Sequence, residues 1–357
     1  MFTILSDGYP VHIGENALQK LKDYLEHNKY SQYFILVDEN TLQFCLSDVI
    51  QNVEVLKDAE VIETESGEEN KVIEVVTQVW LAMSDLHADR KSLVINLGGG
   101  VLGDMGGFIA STYKRGVDFI NIPTTLLSMV DSSVGGKLGI DLGGLKNQIG
   151  VFNFPKGVFI SPQFLSTLEP RQLKSGFAEV LKHALIKDAN YWNEVKDIDL
   201  QEFEDWTKII HHSVEIKNQV VLKDPKEKGE RKILNFGHTI GHAIETYHLE
   251  NFEDYYLHGE AIAIGMVVEA ILSVEKNILK EDQLKEIFQS FNRIFNLPKL
   301  DKKLYKEYLK LMIHDKKNSD GKLSFSLLSN IGECTWDVFC NSKEIEKAFN
   351  QYNKMIK

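Results

Sequence analysis

The segment Arg231 to Glu245, RKILNFGHTIGHAIE, holds the densest set of reactive side chains in the chain. Read as a helix, it places Arg231, Asn235, His238 and His242 at i, i+4, i+7 and i+11, on one stripe. Ile233, Leu234, Ile240 and Ile244 back that stripe, which predicts a polar face turned into a cavity, with Asn235 near the first turn. Two histidines four apart commonly share a metal ion. Spacing alone therefore assigns His238 and His242 as zinc ligands, with His258 or a carboxylate completing the shell. Glu179, Lys182 and His183, in GFAEVLKHALIKD, also share a helical face, where a surface ion pair is the simpler reading. His12, His27, His87, His211, His212, His248 and His314 have no convincing partners and read as surface or capping residues.

A second chemistry is suggested earlier in the chain. The apolar run Ser92 to Leu97 leads directly into Gly98, Gly99, Gly100, Val101, Leu102, Gly103 and Asp104. Glycines let a backbone approach a phosphate, and a helix starting there presents free N–H groups to the anion. The spacing is not GxGxxG, so this is a glycine turn suited to a dinucleotide rather than the usual fingerprint. Gly106 and Gly107 suit close helix packing. Pro123, Thr124, Thr125, Asp131, Gly135, Gly136, Lys137, Lys146 and Asn147 make a further cluster, read as a phosphate-binding loop.

These residues need a frame. Tyr33 to Val37, Val61 to Thr64, Ser92 to Leu97 and Phe119 to Ile122 read as buried strands, and Lys71 to Leu86 has helical spacing. Strands alternating with helices imply a mostly parallel sheet. Past Ser161, Arg171 to Lys187, Phe203 to Val221, Ile233 to Tyr247, Glu260 to Lys276 and Asp282 to Phe295 read as helices, with a small strand at Leu323 to Leu328. The expected architecture is an α/β domain over 1–160 and an all-α domain over 161–357.

Composition narrows the class. The 357 residues, 43% hydrophobic and 26% charged, are enough for two packed domains. A formal charge of −12 argues against a nucleic-acid or anionic-membrane surface, though a locally basic site for a small anion is compatible with it. Cys45, Cys334 and Cys340 are too few and scattered for a disulfide framework or a thiolate zinc site. No signal peptide is visible from Met1 to Gly14, and Ala261 to Val274 is too short to span a bilayer. The expectation is a cytoplasmic protein.

Seven blocks, LGGGVLGDMGGF, PTTLL, VDSSVGGKLGID, LKNQIGVF, GFAEVLKHALI, LNFGHTIGHAIE and HGEAIAIGM, occur in this order between Ser66 and Met266. In them the chain resembles the 3-dehydroquinate synthase family of sugar-phosphate cyclases. The resemblance implies a Rossmann-like domain followed by a helical domain, with the active site in the cleft between them. It implies a divalent metal, zinc or cobalt, held by Glu179, His238 and His258, and it makes His242 a proton carrier rather than a ligand. NAD contacts would come from Asp38, Asn40, Glu68, Lys71, Gly99, Gly100, Val101, Asp104, Thr124, Thr125, Lys137, Lys146 and Thr167. Substrate contacts would come from Arg115, Asp131, Lys137, Asn147, Lys182, Lys217, Arg231, Asn235, His242 and Lys316, with Arg115 reaching across a homodimer interface.

The implied substrate is 3-deoxy-D-arabino-heptulosonate 7-phosphate, whose phosphate and carboxylate suit so many basic side chains. Its carbon-5 hydroxyl would be oxidised transiently at NAD, phosphate eliminated, the hydride returned, and the opened ring closed by an intramolecular aldol step to 3-dehydroquinate. The nearest rival readings are the 2-deoxy-scyllo-inosose and valiolone synthases, which act on substrates without the carboxylate. Lys217 and Arg231, at the carboxylate-binding positions, favour the heptulosonate. A metal-dependent polyol dehydrogenase is a more distant rival, and a non-enzymatic dinucleotide-binding regulator would not need Glu179, His238, His242 and His258 together.

Overall fold

The computed structural model describes residues 1–143, 145–315 and 323–356. It divides into two units, Met1–Glu169 with Asp205–Asn218, and Pro170–Glu204 with Gln219–Lys357.

The first unit contains β1 (Phe2–Leu5), β2 (Pro10–Ile13), α1 (Ala17–His27), β3 (Tyr33–Asp38), α2 (Glu39–Phe44), α3 (Leu46–Asn52) and β4 (Glu60–Thr64). It continues with α4 (Ile73–Asp85), β5 (Leu93–Gly98), α5 (Gly100–Thr112), β6 (Asp118–Pro123), β7 (Lys137–Leu142), β8 (Leu145–Phe152) and β9 (Val158–Ile160). Seven strands form one sheet in the order β1-β2-β9-β6-β5-β3-β4, parallel throughout except for β1 against β2. Central β5, LVINLG, is buried at every residue, as an interior parallel strand covered on both faces must be. Val76, Val79 and Met83 of α4 and Met105 and Ile109 of α5 pack with Phe34, Leu36, Val94 and Phe119 of the sheet in one core. Gly106 is what allows α5 to lie so close: a Cβ there would overlap Asn96 Oδ1 on β5. Gly107 does the same against Leu138 of β7, so both glycines have a packing role.

The strand order fixes where a ligand can enter. From β3 the sheet grows outward to β4, and β5, β6 and β9 are then added on the other side. The direction of growth reverses between β3 and β5, and in open α/β sheets the crevice at such a point, at the carboxyl ends of the strands, is the ligand site. Those ends are Asp38 and Gly98. The cluster read as a phosphate loop takes a more ordered form: Lys137–Leu142 and Leu145–Phe152 pair as an antiparallel hairpin. Its Gly139 and Gly150 face each other across the ladder, which leaves no space for side chains at the pair.

The second unit is helical: α6 (Pro170–Lys187), α7 (Ala189–Val195), the end of α8 (Trp206–Lys223), α9 (His238–Asn251), α10 (His258–Glu275), α11 (Glu281–Phe295), α12 (Tyr305–Asp315) and α13 (Ser342–Met355). One hairpin, β10 (Leu323–Asn330) with β11 (Glu333–Cys340), interrupts the helices, so the strand expected at Leu323 to Leu328 has a partner strand that was not anticipated. Helix α10 is buried from Ala261 to Ser273, which accounts for its long apolar run on both sides of Glu269. No described helix is long and apolar enough to cross a membrane.

The histidine segment departs from the single helix its periodicity suggested. Glu230–Asn235 is a 3-10 turn, Gly237 is left-handed at φ +83°, and α9 begins only at His238. Arg231 and Asn235 therefore do not lie on one helical stripe with His238 and His242. The cause is Gly237, whose backbone conformation ends one helical segment before the next starts.

Candidate active site

In the first unit, the N-terminus of α5 meets the loop after β6. A Cβ on Gly99 would lie 3.2 Å from Thr125 Cγ2, and one on Gly100 would lie 3.0 Å from Ser132 Oγ. Glycine at both positions lets the start of α5 lie close against the loop after β6. Thr124 is buried and its N–H donates to Gly98 O at 3.0 Å, which ties that loop to the end of β5. Asp38 ends β3 and caps α2, accepting from Thr41 N at 2.8 Å, while Asn40 is exposed on the first turn of α2.

Five of the named residues meet in one polar network. Buried Lys71 donates to Asp104 at 2.7 Å and to Asn147 Oδ1 at 2.8 Å, and Glu68 lies 4.0 Å from Lys71 and 3.6 Å from Lys146. Burial opposes the Lys71 charge, but Asp104 and Glu68 outweigh it and its pKa is raised. Asn147 holds a left-handed φ of +52°, with its N–H on Asp141 Oδ1 at 2.6 Å. Asp131 sits in a π-helical turn, Ser128–Ser132, and is bridged to buried Lys217 of α8 at 2.9 Å. Lys137 is exposed at the start of β7, and Thr167 closes the 3-10 turn Pro162–Thr167. Arg115 is exposed in a turn where Lys114, Arg115 and Gly116 all have positive φ. Lys316 lies outside the described residues.

In the second unit, three helices bring their reactive groups together. Glu179 of α6 has no exposed surface. His238 Nε2 lies 3.6 Å and His258 Nε2 3.7 Å from its Oε1. For a tetrahedral cation with ligands near 2.05 Å, neighbouring ligand atoms would be roughly 3.4 Å apart, so this spacing suits a small dication such as zinc or cobalt. The other ring nitrogens are occupied: His238 Nδ1 pairs with Phe236 O at 3.1 Å and His258 Nδ1 with Glu245 Oε2 at 3.2 Å. Lys182, one turn along α6, is buried and paired with Glu179. His242 has its ring 5.1 Å from that of His238 and 5.9 Å from that of His258, beside the cluster rather than against Glu179. The same atoms also admit a set of His242, Glu245 and His258. The set with Glu179 is preferred because each of its imidazoles has the second nitrogen held elsewhere, leaving Nε2 to point inward.

The two imidazoles differ electrostatically. Burial, reinforced by Lys182, holds His238 well below the usual histidine range. Burial also disfavours charge on His258, yet Glu245 and Glu179 outweigh it and raise the ring to about 10. Arg231 is buried, with Nη1 donating to Pro225 O at 2.7 Å, and Asn235 donates to Glu227 at 2.6 Å.

The frame that aims these groups includes residues that motif reading passed over. Glu269, buried in the middle of α10, accepts from Gly237 N at 2.7 Å and Ile240 N at 3.2 Å and so caps α9 just where His238 begins it. Arg171 at the start of α6 grips Glu260 through Nε at 2.9 Å and Nη2 at 2.8 Å, next to His258. A charged residue inside an apolar run was the available signal for Glu269; Glu245, seven residues after His238, lay on the same helical face.

Fold and site define a class: an α/β unit with a glycine turn at its switch point, joined to a helical unit with a Glu/His/His cluster. The comparisons give the family. A family model described as 3-dehydroquinate synthase N-terminal matches residues 61–175, and the corresponding C-terminal model matches residues 176–318. The 3-dehydroquinate synthase of Parabacteroides distasonis is 38% identical over 346 residues, 96% of this chain and 98% of the relative. Among solved structures, a 2-deoxy-scyllo-inosose synthase complexed with carbaglucose-6-phosphate, NAD+ and Co2+ superposes with TM-score 0.85 at 26% identity, covering 98% of this chain and 99% of the other. The 2-epi-5-epi-valiolone synthase of Streptomyces hygroscopicus, with NAD+ and Zn2+ bound, gives 0.84 at 26% identity, covering 99% of each. The chain belongs to the 3-dehydroquinate synthase family, an enzyme of the carbon–oxygen lyase type acting on a phosphate.

Replacing Glu269 by alanine leaves the Gly237 and Ile240 N–H groups buried without their acceptor. We expect a loss of about 1–3 kcal/mol in unfolding free energy by urea titration. An unchanged midpoint would show that the cap is not holding α9.

Proposed function

We propose that this chain converts 3-deoxy-D-arabino-heptulosonate 7-phosphate to 3-dehydroquinate and phosphate. The supporting observation is the convergence of His238 Nε2 and His258 Nε2 on Glu179, with each opposite ring nitrogen held. A set of one carboxylate and two imidazoles leaves a coordination position for a substrate oxygen. In the proposal Glu179, His238 and His258 hold the divalent cation, zinc or cobalt. The residues for NAD are those at the ends of β3 and β5 and around Lys71: Asp38, Asn40, Glu68, Lys71, Gly99, Gly100, Val101, Asp104, Thr124, Thr125, Lys137, Lys146 and Thr167. When bound, the dinucleotide accepts and returns one hydride and the cation polarises the oxygen at the carbon being oxidised.

The chain's own groups then bind, orient and move protons. His242 is the proton carrier: its ring lies beside the cluster, so it can exchange a proton with a substrate oxygen there without serving as a ligand. Lys217 and Arg231 take the substrate carboxylate; both are buried and already fixed by Asp131 and by Pro225 O, so little ordering is left to do on binding. Lys182, Asn235, Asp131, Lys137, Asn147, Arg115 and Lys316 complete the proposed substrate contacts. Because the hydride is returned, the net reaction is elimination and cyclisation rather than oxidation.

Full-length protein given the heptulosonate phosphate should release phosphate only with NAD present. A chelator should stop release, and absorbance at the nicotinamide band should not grow. Turnover of a hexose phosphate in place of the heptulosonate would replace this substrate with that of the related cyclases. Steady growth of NADH would instead indicate a polyol dehydrogenase.

His242→Ala should keep its metal while kcat falls about 10²- to 10⁴-fold, and His258→Ala should lose metal. Equal metal loss in the two variants would return the site to the His238 and His242 pair. The proposal also includes a cytoplasmic homodimer, with Arg115 serving its partner's site. Light scattering should then give twice the mass of one chain, and a monomer that retains full activity would remove that role for Arg115.

A further inference from the structure

The second ring nitrogens of the two candidate histidine ligands are held in different ways. His238 Nδ1 rests on a main-chain carbonyl, Phe236 O, which no substitution can remove. His258 Nδ1 rests on a side chain, Glu245 Oε2 at 3.2 Å. Glu245 is itself buried on α9, seven residues beyond His238, so it lies on the face that also carries His238 and His242. Helix α9 therefore presents a ligand at its first residue and, two turns on, a carboxylate for a ligand that heads α10.

We infer that Glu245 is a positioning residue for the metal centre, fixing the His258 ring so that Nε2 faces Glu179, and that it does not itself ligate the ion. This rests on the proposed Glu179, His238 and His258 set. The Glu245 carboxylate accepts the Nδ1 proton, which leaves the lone pair on Nε2 and sets the plane of the ring. Without it, His258 can turn about χ2 or present the wrong tautomer, and ordering it falls on the binding step. The competing assignment, His242 with Glu245 and His258, uses the same carboxylate as a direct ligand through the same short approach. The two assignments make opposite demands on a neutral isostere. A glutamine at 245 still offers a carbonyl oxygen to the Nδ1–H, so it can position the ring but is a far poorer ligand.

The test is Co2+ binding to the full-length protein, read by the visible absorption of the bound ion and by competition with a chelator. Wild type is compared with Glu245→Gln, Glu245→Ala, Glu179→Gln and His258→Ala, and the metal-free thermal midpoint of each is recorded. We expect Glu245→Ala to weaken Co2+ binding about 10- to 100-fold. Glu245→Gln should recover most of that loss with the wild-type cobalt spectrum, and Glu179→Gln and His258→Ala should bind least. Glu245→Gln as weak as Glu179→Gln, or with an altered cobalt spectrum, would overturn positioning in favour of ligation. Wild-type affinity in Glu245→Ala, with weak binding in Glu179→Gln and His258→Ala, would overturn the inference and leave the ligand set standing. Wild-type affinity in Glu179→Gln would overturn the ligand set and the inference with it. Should Glu245→Ala fail to fold, the comparison of Glu245→Gln with Glu179→Gln decides alone.

Discussion

A carboxylate with no exposed surface, Glu179, is the charge around which the second unit is arranged. An isolated buried carboxylate is costly by several kcal/mol, so nearby groups must offer charge or polar contact. Lys182 comes from the same helix, and His238 and His258 come as the first residues of two others. Placing both helix starts against α6 demands close backbone approach. A Cβ on Gly259 would overlap Ser175 O, and one on Gly265 would overlap Gly237 O. The glycines of the GHTIGH and HGEAIAIGM segments are therefore packing requirements of the same site whose histidines they flank. Glu269 and the Arg171–Glu260 pair then fix the starts of α9 and α10.

The first unit meets a different constraint, the close approach of main chain where strands end and helices begin. Parallel strands place their carboxyl ends side by side, and the reversal between β3 and β5 leaves a crevice there. Gly99 and Gly100 let the start of α5 approach Thr125 and Ser132 closely. The Lys71, Asp104 and Asn147 network links the loop before α4, the first turns of α5 and the β7–β8 hairpin.

Much of the frame was legible from residues alone. The four strands named from their Val, Ile and Phe content match β3, β4, β5 and β6 to within a residue or so at each end; β3, β5 and β6 are interior parallel strands, apolar on both faces, while β4 closes the edge and buries only alternate residues. Five helices of the second half, α6, α8, α9, α10 and α11, were visible in their periodicity, whereas α7, α12 and α13 were not named. The edge strand β1 and the short strands β2 and β9, of three or four residues, were not named, because so few residues give a periodic pattern little room to show, and the β7–β8 hairpin was not named either. Helix α8 was recognised, but not that Asp205–Asn218 belongs with the first unit, since contacts such as Asn218 to Leu5 O span most of the chain.

For the candidate site, the sequence by itself determined the inventory: glycines after a strand, two histidines four apart, a carboxylate and lysine on another helix, and basic residues in an acidic chain. It also showed the order of the blocks, and with it the family. Spacing alone, without the family resemblance, could not decide which histidines come together. Local spacing favoured His238 and His242, four residues apart on one helix. Only the packing of α6, α9 and α10 brings Glu179 and His258 to His238 and leaves His242 at the side. Helical periodicity reports which residues share a face of one element. A coordination shell is built where elements meet, and that meeting depends on contacts between residues far apart in the chain.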